Sequence, residues 1–395
     1  MQNEVTIIGA GIGGLTLAKS LELKGIPFQL YEKSKSFEAL GYGINVGSNV
    51  TRVMKALGLA QKIAAISQQV QRTEARTFES DKVLMSTKYQ NEFPHYQCRR
   101  ADLHELIYDA VQDKSCIHFS KKLVAYTHNE AGVLLTFEDG SSIQAGAVVA
   151  ADGVKSFVRH QMFPNQAEKY AGYLAYRAIL PFQKKYQQLA GQATIWMGEN
   201  HHVVCYPNGN ERMRNYWLNL VLIEKNAAWN EEGWTIPADK KVVAKQFRNN
   251  SKLLNEILDD LLKSPEACYK WGLIIHDPLP YWTQKNITLL GDAAHPMVPF
   301  QGQGAAMAIE DAYVLANCFA KYKTPQEVFA RYEVLRKERA TSVQDRSFKN
   351  GLIYHASGIK KMMRNMLFSY IHYVNPNFMA KRMSWLVDHD VTVES

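Results

Sequence analysis

The first 32 residues limit the fold of this chain more than any other stretch. Val5-Thr6-Ile7-Ile8 is a short β-branched run, and Gly9-Ala10-Gly11-Ile12-Gly13-Gly14 follows it directly. Leu15, Leu17, Ala18, Leu21 and Leu23 then recur at helical spacing as far as Gly25. A second β-like run, Ile26 to Tyr31, ends at Glu32 with Lys33 beside it. A strand, a glycine turn, a helix and a strand ending in an acid form the context in which Gly-x-Gly-x-x-Gly binds a dinucleotide. Gly9 permits the turn, Gly11 lets backbone approach a pyrophosphate, and Gly14 lets the helix lie close to the strand. The helix start at Ile12 and Gly13 aims unpaired N–H groups at the phosphates. An acid at Glu32 accepts ribose hydroxyls and repels a 2′-phosphate, which favours FAD or NAD over NADP here.

The remaining composition is that of an ordinary globular protein. At 395 residues, two or three domains are expected, and 46% apolar with 21% charged residues excludes collagen-like and disordered classes. Cys98, Cys116, Cys205, Cys268 and Cys318 are scattered and form no Cys-x-x-Cys pair. That argues for a reducing compartment and against a thiol redox centre or a Cys-based zinc site, so no metal is expected. Val5 to Ala18 is uncharged, but its glycines would break a signal helix, and no apolar run nears the ~18 residues of a membrane span. A cytoplasmic protein is expected. The net charge is +8, and from Arg331 onward eleven Lys or Arg face six Asp or Glu. No aromatic-interleaved basic stripe accompanies it, so nucleic acid is not an expected partner.

Two further motifs lie far along the chain. Ala145-Gly146-Ala147-Val148-Val149-Ala150 reads as a buried strand ending in Ala151-Asp152-Gly153, with Ser156 and Arg159 beyond it. The plain reading is an Asp-Gly turn between strand and helix. Ile287-Thr288-Leu289-Leu290 leads into Gly291-Asp292-Ala293-Ala294-His295-Pro296, then Pro299-Phe300-Gln301-Gly302-Gln303-Gly304-Ala305-Ala306 and a helix. Asp292 can accept hydroxyl protons from a polyol chain. The glycine loop lets backbone lie against a flat ring, and the helix start presents its positive end. The plain reading here is a glycine-rich helix start with a structural role. No second Gly-x-Gly-x-x-Gly follows a strand, so one dinucleotide fold is expected.

Taken together, Gly9–Gly14 with Glu32, Ala151-Asp152-Gly153 with Arg159, and Gly291-Asp292 through Pro296 resemble the single-component FAD-dependent aromatic hydroxylases of the para-hydroxybenzoate hydroxylase fold. The resemblance spans roughly residues 3–390. It is nearest to salicylate and 3-hydroxybenzoate hydroxylases through Cys98-Arg99-Arg100-Ala101-Asp102-Leu103, Trp196-Met197-Gly198, Tyr206-Pro207, Asp277-Pro278 and Ser384-Trp385-Leu386. It implies an α/β fold: a Rossmann-like FAD-binding domain, an inserted mixed β-sheet substrate domain and C-terminal helices. The expected segments are 1–71, 95–168 and 277–345 for FAD, 72–94 and 169–276 for substrate, and 346–395 as a helical tail.

The resemblance also implies roles. Gly9, Gly11, Ile12, Gly13, Gly14, Glu32 and Lys33 would meet the adenosine half of a tightly bound, non-covalent FAD. Val124 would meet the adenine through its backbone, and Gly43, Arg100, Asp292, Pro299, Gly302, Gly304 and Ala305 would meet the rest of the cofactor. Asp152 and Arg159 would serve FAD and a passing NAD(P)H together. The implied reaction is hydroxylation of a phenolic acid or N-heteroaromatic ring: NAD(P)H reduces the flavin, and O2 adds at C4a to give an electrophilic hydroperoxide.

The substrate side is less determined. Tyr173, Tyr176, Trp196, Tyr206, Tyr216 and Trp217 fall in β-like runs from about 172 to 223 that could roof a flavin, though most would serve equally as core. His202 is the candidate base and His201 faces the other side of its strand. A lone strand histidine can also be structural. Tyr206 and Gln303 are weaker polar candidates. His276 stands where relatives often carry Arg before Asp-Pro, and Asn45 where related enzymes vary with substrate. Helices are expected over Lys240–Phe247 and Lys252–Lys263. Ile359, Met362, Met363, Met366, Leu367, Tyr370 and Ile371 share a helical face, expected to lie against the FAD domain or a second subunit rather than a membrane. A monomer or homodimer is expected. Alternative readings keep the flavin: an epoxidase, a urate-type hydroxylase, a halogenase or a non-catalytic redox sensor. Halogenases carry Trp-x-Trp-x-Ile-Pro, whereas Trp234-Thr235-Ile236-Pro237 follows Glu232 here.

Overall fold

The computed structural model describes residues 4–37, 42–89, 92–210, 215–229, 231, 233 and 236–393. Glu232, Trp234 and Thr235 of the halogenase comparison, and Gly41, lie outside them.

The fold follows from where the apolar runs can hide. Val5–Ile8 and Ala147–Ala150 are buried at every position, as are the three residues Ile287–Leu289. Strands buried on both faces belong inside a parallel sheet covered by helices. They form one: a six-stranded sheet ordered 283–284, 287–289, 147–150, 5–8, 28–31, 117–118. Its four central strands are parallel and in register, with Ile8 beside both Tyr31 and Ala150, and Ala150 beside Leu289. Their carboxyl ends therefore coincide at one edge. The helix Ile12–Leu23 lies on this sheet against the helix Gly304–Lys321. Gly13 makes the close approach possible, because a Cβ there would meet Leu290 at 2.6 Å.

A second, eight-stranded sheet draws on residues 236–237, 269–275, 169–181, 215–225, 201–210, 192–197, 72–77 and 83–88, in that order. It is mixed, since 192–197 and 72–77 run parallel while the other pairs are antiparallel. One face carries Val203, Cys205, Leu218, Leu220 and Leu222 and is closed by the helices Lys240–Phe247 and Lys252–Lys263. The other face carries Val221, Ile223 and Trp271 and meets Val298 and Phe300 from the Gly-Asp motif segment. Tyr176 and Trp196 belong to the helix-covered core, whereas Tyr173 joins the face toward the FAD segments.

Two C-terminal helices bear on the expected segments and packing. The helix Pro325–Tyr354 runs for 30 residues through positions 345 and 346 without a break. The C-terminal helix Gly358–Val374 turns its apolar stripe outward: Ile359, Met363 and Tyr370 are 73%, 59% and 65% exposed. It is anchored by its other side. Arg364 is buried and donates to the carbonyls of Ile353 and Tyr354, and Lys361 pairs with Glu79 and Glu199. Phe368 on the same helix packs against the cluster of Ala75, Leu84, Met85 and Met197. No described helix is long and apolar enough to cross a membrane.

Candidate active site

The three motifs meet at the carboxyl edge of the parallel sheet. Gly9, at φ +104°, stands against the next motif, where a Cβ would lie 2.5 Å from the Ala151 carbonyl oxygen. A Cβ on Gly14 would lie 2.0 Å from the Gly9 oxygen, so helix and strand touch there. Gly11 differs. Nothing stands within 4 Å of the position its Cβ would take, and this open side is where backbone can receive a ligand.

Glu32 is held rigidly at the end of its strand. Its carboxylate accepts the Ala10 N–H at 2.7 Å and the Ser34 N–H at 2.8 Å. His104 donates to the Ala10 carbonyl at 2.6 Å and closes the same turn. Lys33 is exposed. Val124 lies at a bulge: Ala125 pairs with Thr136 and Leu123 with Phe137, which leaves the Val124 peptide outside the ladder.

Asp152 accepts the Val158 N–H, while its Oδ1 is buried without a partner. Burial pushes its carboxyl up, and bonds from Ser156 and Val158 hold it back. Arg159 lies in the short helix Phe157–Met162. It is buried, donates to the Val154 carbonyl at 2.6 Å and pairs with Glu168 at 2.7 Å. Its Nε is buried without a partner.

Asp292 and Arg100 keep exposed surface although protein surrounds both, as wall residues of a crevice do. Enclosure pushes the Asp292 carboxyl up against the pull of His295 and Arg100. Gly304 opens the following helix, and its Cβ position lies 3.8 Å from Asp292 Oδ1. Pro299 starts a single 3-10 turn, and Gly302 ends it at φ +63°. A Cβ on Gly302 would meet Asn45 Nδ2 at 2.4 Å, so the strand Gly43–Val46 crosses directly over this loop. Gln303 is buried and accepts from Asn49 Nδ2 at 3.3 Å, and Ala305 packs at the margin of the main core.

The open cradle at Gly11, the unpartnered Asp152 oxygen, the free Val124 peptide and the polar Asp292–Arg100 wall fit an extended dinucleotide. Glycine and backbone groups meet its phosphates, and carboxylates meet its polyol hydroxyls.

The sheet wall above supplies the rest. His202 faces this side. It packs edge-on against Phe300 at 5.2 Å between centroids, and its Nδ1 lies 2.6 Å from Nε2 of His355. Burial, with His355 and His201 adding, pushes its pKa well down, and burial holds His355 at about 3. His201 points to the opposite face, against Phe78 and Phe247. Tyr206 and Asn219 are neighbours across strands, and Asn219 Oδ1 accepts the Gly43 N–H at 2.8 Å. Arg177, on the same face, stacks over Tyr42 and Trp271 at 5.2 Å each.

Arg177, Asn208, Asn219 and His355 were not singled out in the sequence. Arg177 had a signal, a lone charge in the apolar run Tyr173–Leu180. His355 had none, since its partner is 153 positions away.

Known proteins agree with this geometry. A family model described as an FAD binding domain matches residues 2–347. A 6-hydroxynicotinate 3-monooxygenase of Pseudomonas fluorescens is 31% identical, covering 88% of this chain and 90% of that protein. A 3-hydroxybenzoate 6-hydroxylase of Aquipseudomonas alcaligenes is 31% identical, covering 100% and 99%. A solved salicylate hydroxylase substrate complex shares the fold at a TM-score of 0.81 and 24% identity, covering 100% of this chain and 97% of that one. Klebsiella pneumoniae HpxO, solved with FAD and uric acid, does so at 0.83 and 22%, covering 96% of each. The chain therefore belongs to the FAD-binding-domain family, among its FAD-dependent aromatic monooxygenases.

Proposed function

We propose that this chain hydroxylates a small aromatic ring, a phenolic acid or a hydroxylated N-heteroaromatic, consuming NAD(P)H and O2. One observation carries the reading. The three motif turns share one sheet edge, and a largely apolar sheet wall stands over the loop at Gly302.

Bound FAD supplies hydride acceptance from NAD(P)H and activation of O2 for transfer to an electron-rich ring. The chain's residues bind and orient it. Glu32 accepts hydroxyls of the adenosine ribose, and the Val124 peptide meets the adenine. Gly11 and the helix start at Ile12–Gly13 receive the pyrophosphate. Arg100 and Asp292 hold the ribityl side. Gly43, Pro299, Gly302, Gly304 and Ala305 enclose the flavin ring, and the helix start at Gly304 favours negative charge there.

His202 takes the proton of the substrate hydroxyl. Burial keeps its imidazole neutral, so it can accept one, and His355 on Nδ1 fixes which nitrogen is used. Tyr206 and Gln303 orient the ring. Val221, Ile223, Trp271, Val298 and Phe300 exclude water, which protects the oxygen-transfer step from hydrolytic loss.

The test begins with colour. The purified protein should absorb near roughly 370 and 450 nm, as bound flavin does. Hydroxybenzoates and hydroxypyridines should then stimulate NAD(P)H oxidation and yield a product heavier by one oxygen. Flavin reduction that no aromatic accelerates, or peroxide as the sole product, would refute the reading.

A further inference from the structure

The fold leaves the apolar side of the helix Gly358–Val374 uncovered. Met362, Met363, Met366, Leu367, Tyr370 and Tyr373 recur there at helical spacing, and each is more than half exposed. Over its 17 residues the helix runs about 25 Å. A continuous apolar stripe of that length on a protein surface marks a place of contact. The inner side of the helix is already committed. Arg364 donates to the carbonyls of Ile353 and Tyr354, and Phe368 packs against the cluster around Met85. Rolling the helix to hide its stripe would break both attachments.

Charge identifies the occupant. Between Asp345 and Asp388 the chain carries seven Lys or Arg and no Asp or Glu. Lys360 is exposed on the flank of the stripe, and Lys381 and Arg382 are exposed on the next helix, Phe378–Val387. A second element adds to this border. The strand Val83–Lys88 packs along the helix, and two grooves run between them. Exposed Lys82 lines one beside Met366, and exposed Lys88 lines the other beside His372. Glu79 and Glu199 are taken up by Lys361, and Asp81 by Arg76. An apolar stripe bordered by basic residues is complementary to a bilayer with anionic headgroups. A second copy of the chain fits less well. Two-fold pairing along the stripe would set these cations against their own equivalents, with no carboxylate from this segment between them. We propose that this face docks the enzyme on an anionic lipid bilayer. The helix lies in the plane of the interface, its methionine and leucine side chains enter the acyl boundary, and the flanking lysines meet the headgroup phosphates.

The test sediments the full FAD-loaded chain with vesicles of pure phosphatidylcholine and with vesicles containing about one-third phosphatidylglycerol. Partition onto the anionic vesicles should be roughly tenfold stronger or more, since several cations face the surface. The gain should fall as salt rises from about 0.1 to about 0.5 M, because the screening length shortens. Lys82→Gln and Lys360→Gln should each weaken binding about fivefold. Met363→Glu with Leu367→Glu should abolish it, whereas Met363→Leu with Leu367→Met should keep it within about twofold, because apolar area is conserved. Flavin content measured without vesicles should equal that of the wild type in every variant, which shows that each is folded. Absence of sedimentation with either vesicle, or equal partition onto both, would overturn the proposal. So would a dimer in light scattering that Met363→Glu with Leu367→Glu converts to a monomer, since a second copy would then be the occupant. The hydroxylase reading is tested by product formation and stands or falls apart from these outcomes.

Discussion

Gly11 and Gly14 stand three residues apart and make opposite demands. Gly14 faces protein, where a methyl group would collide with the Gly9 carbonyl, while Gly11 faces open space at an extended φ of −70° that alanine adopts freely. Gly14→Ala should therefore destabilise the protein itself by about 1–3 kcal/mol, as overpacked sites do. Gly11→Ala should leave the FAD-free protein's melting temperature nearly unchanged yet weaken FAD tenfold or more, about 1.4 kcal/mol. Melting curves of the apo-proteins and FAD titrations separate the two. His202 makes a different kind of prediction. His202→Asn should lower turnover by roughly 10²–10⁴-fold, the usual contribution of a general base, with flavin content intact. Because burial lowers its pKa, the acid limb of kcat/KM should fall below the ordinary histidine value near 6.5. An acid limb above pH 6.5 would remove His202 from that role. The glycine and acid positions were legible in the sequence because each is dictated by local geometry within a few residues. The partner of His202 was not, because it is created only when the chain end folds back over the sheet.

The helices show what periodicity can and cannot reveal. Lys240–Phe247 and Lys252–Lys263 were readable from apolar spacing, and both turn that spacing onto the sheet. The helix Gly358–Val374 has a stripe as regular, but it is the polar side that is tied down. Periodicity reports that a face is apolar; it does not say what covers it. Met363→Glu with Leu367→Glu should hence change the urea midpoint by less than the equivalent of about 0.5 kcal/mol, the range of exposed substitutions. A loss of several kcal/mol would mean that this stripe is buried after all. The long helix Pro325–Tyr354 presents the reverse case. Arg336 is fully buried and pairs with Glu310 and Asp311 at 2.8 Å each, and Asp311 also accepts from His295 at 2.5 Å. Glu310 would keep Arg339, but Asp311 would lose its arginine and retain only His295, so Arg336→Met should cost about 3–5 kcal/mol in chemical denaturation. Glu310 also holds Asn49, the partner of Gln303, so the same change should loosen FAD.

On the scale of the whole molecule, the crevice exists because two sheets with different requirements share one chain. The parallel sheet was foreseeable from three short, mainly apolar strand runs, each leading into a glycine-containing turn. The way 72–77 joins 192–197 to extend the second sheet was not, since strand pairing across 120 residues leaves no local trace. Folding in this way buries histidines wherever the layers meet. His95 and His276 are held at about 4 and His355 at about 3, in each case chiefly by burial, and all three are less than a tenth exposed. In the unfolded chain each returns to about 6.5. Above pH 6.5 folded and unfolded forms are equally neutral at these sites, so they contribute no pH dependence. Between 6.5 and about 4 the unfolded chain takes up protons that the native state refuses, and stability falls as pH falls, by up to about 1.4 kcal/mol per pH unit for each group. The buried acids Glu310 and Asp311 are lowered by their arginines despite burial, so their loss begins only near the unfolded carboxylate range, about pH 4. From pH 7 to 5 the histidines act against Asp152, Asp292 and Glu224, whose carboxyls burial raises, so that the native state takes up their protons first. Urea midpoints of the apo-protein should hold steady from pH 8 to 7 and drop clearly by pH 5. A flat response across that interval would mean that the layers admit water and the histidines titrate as they do in solution.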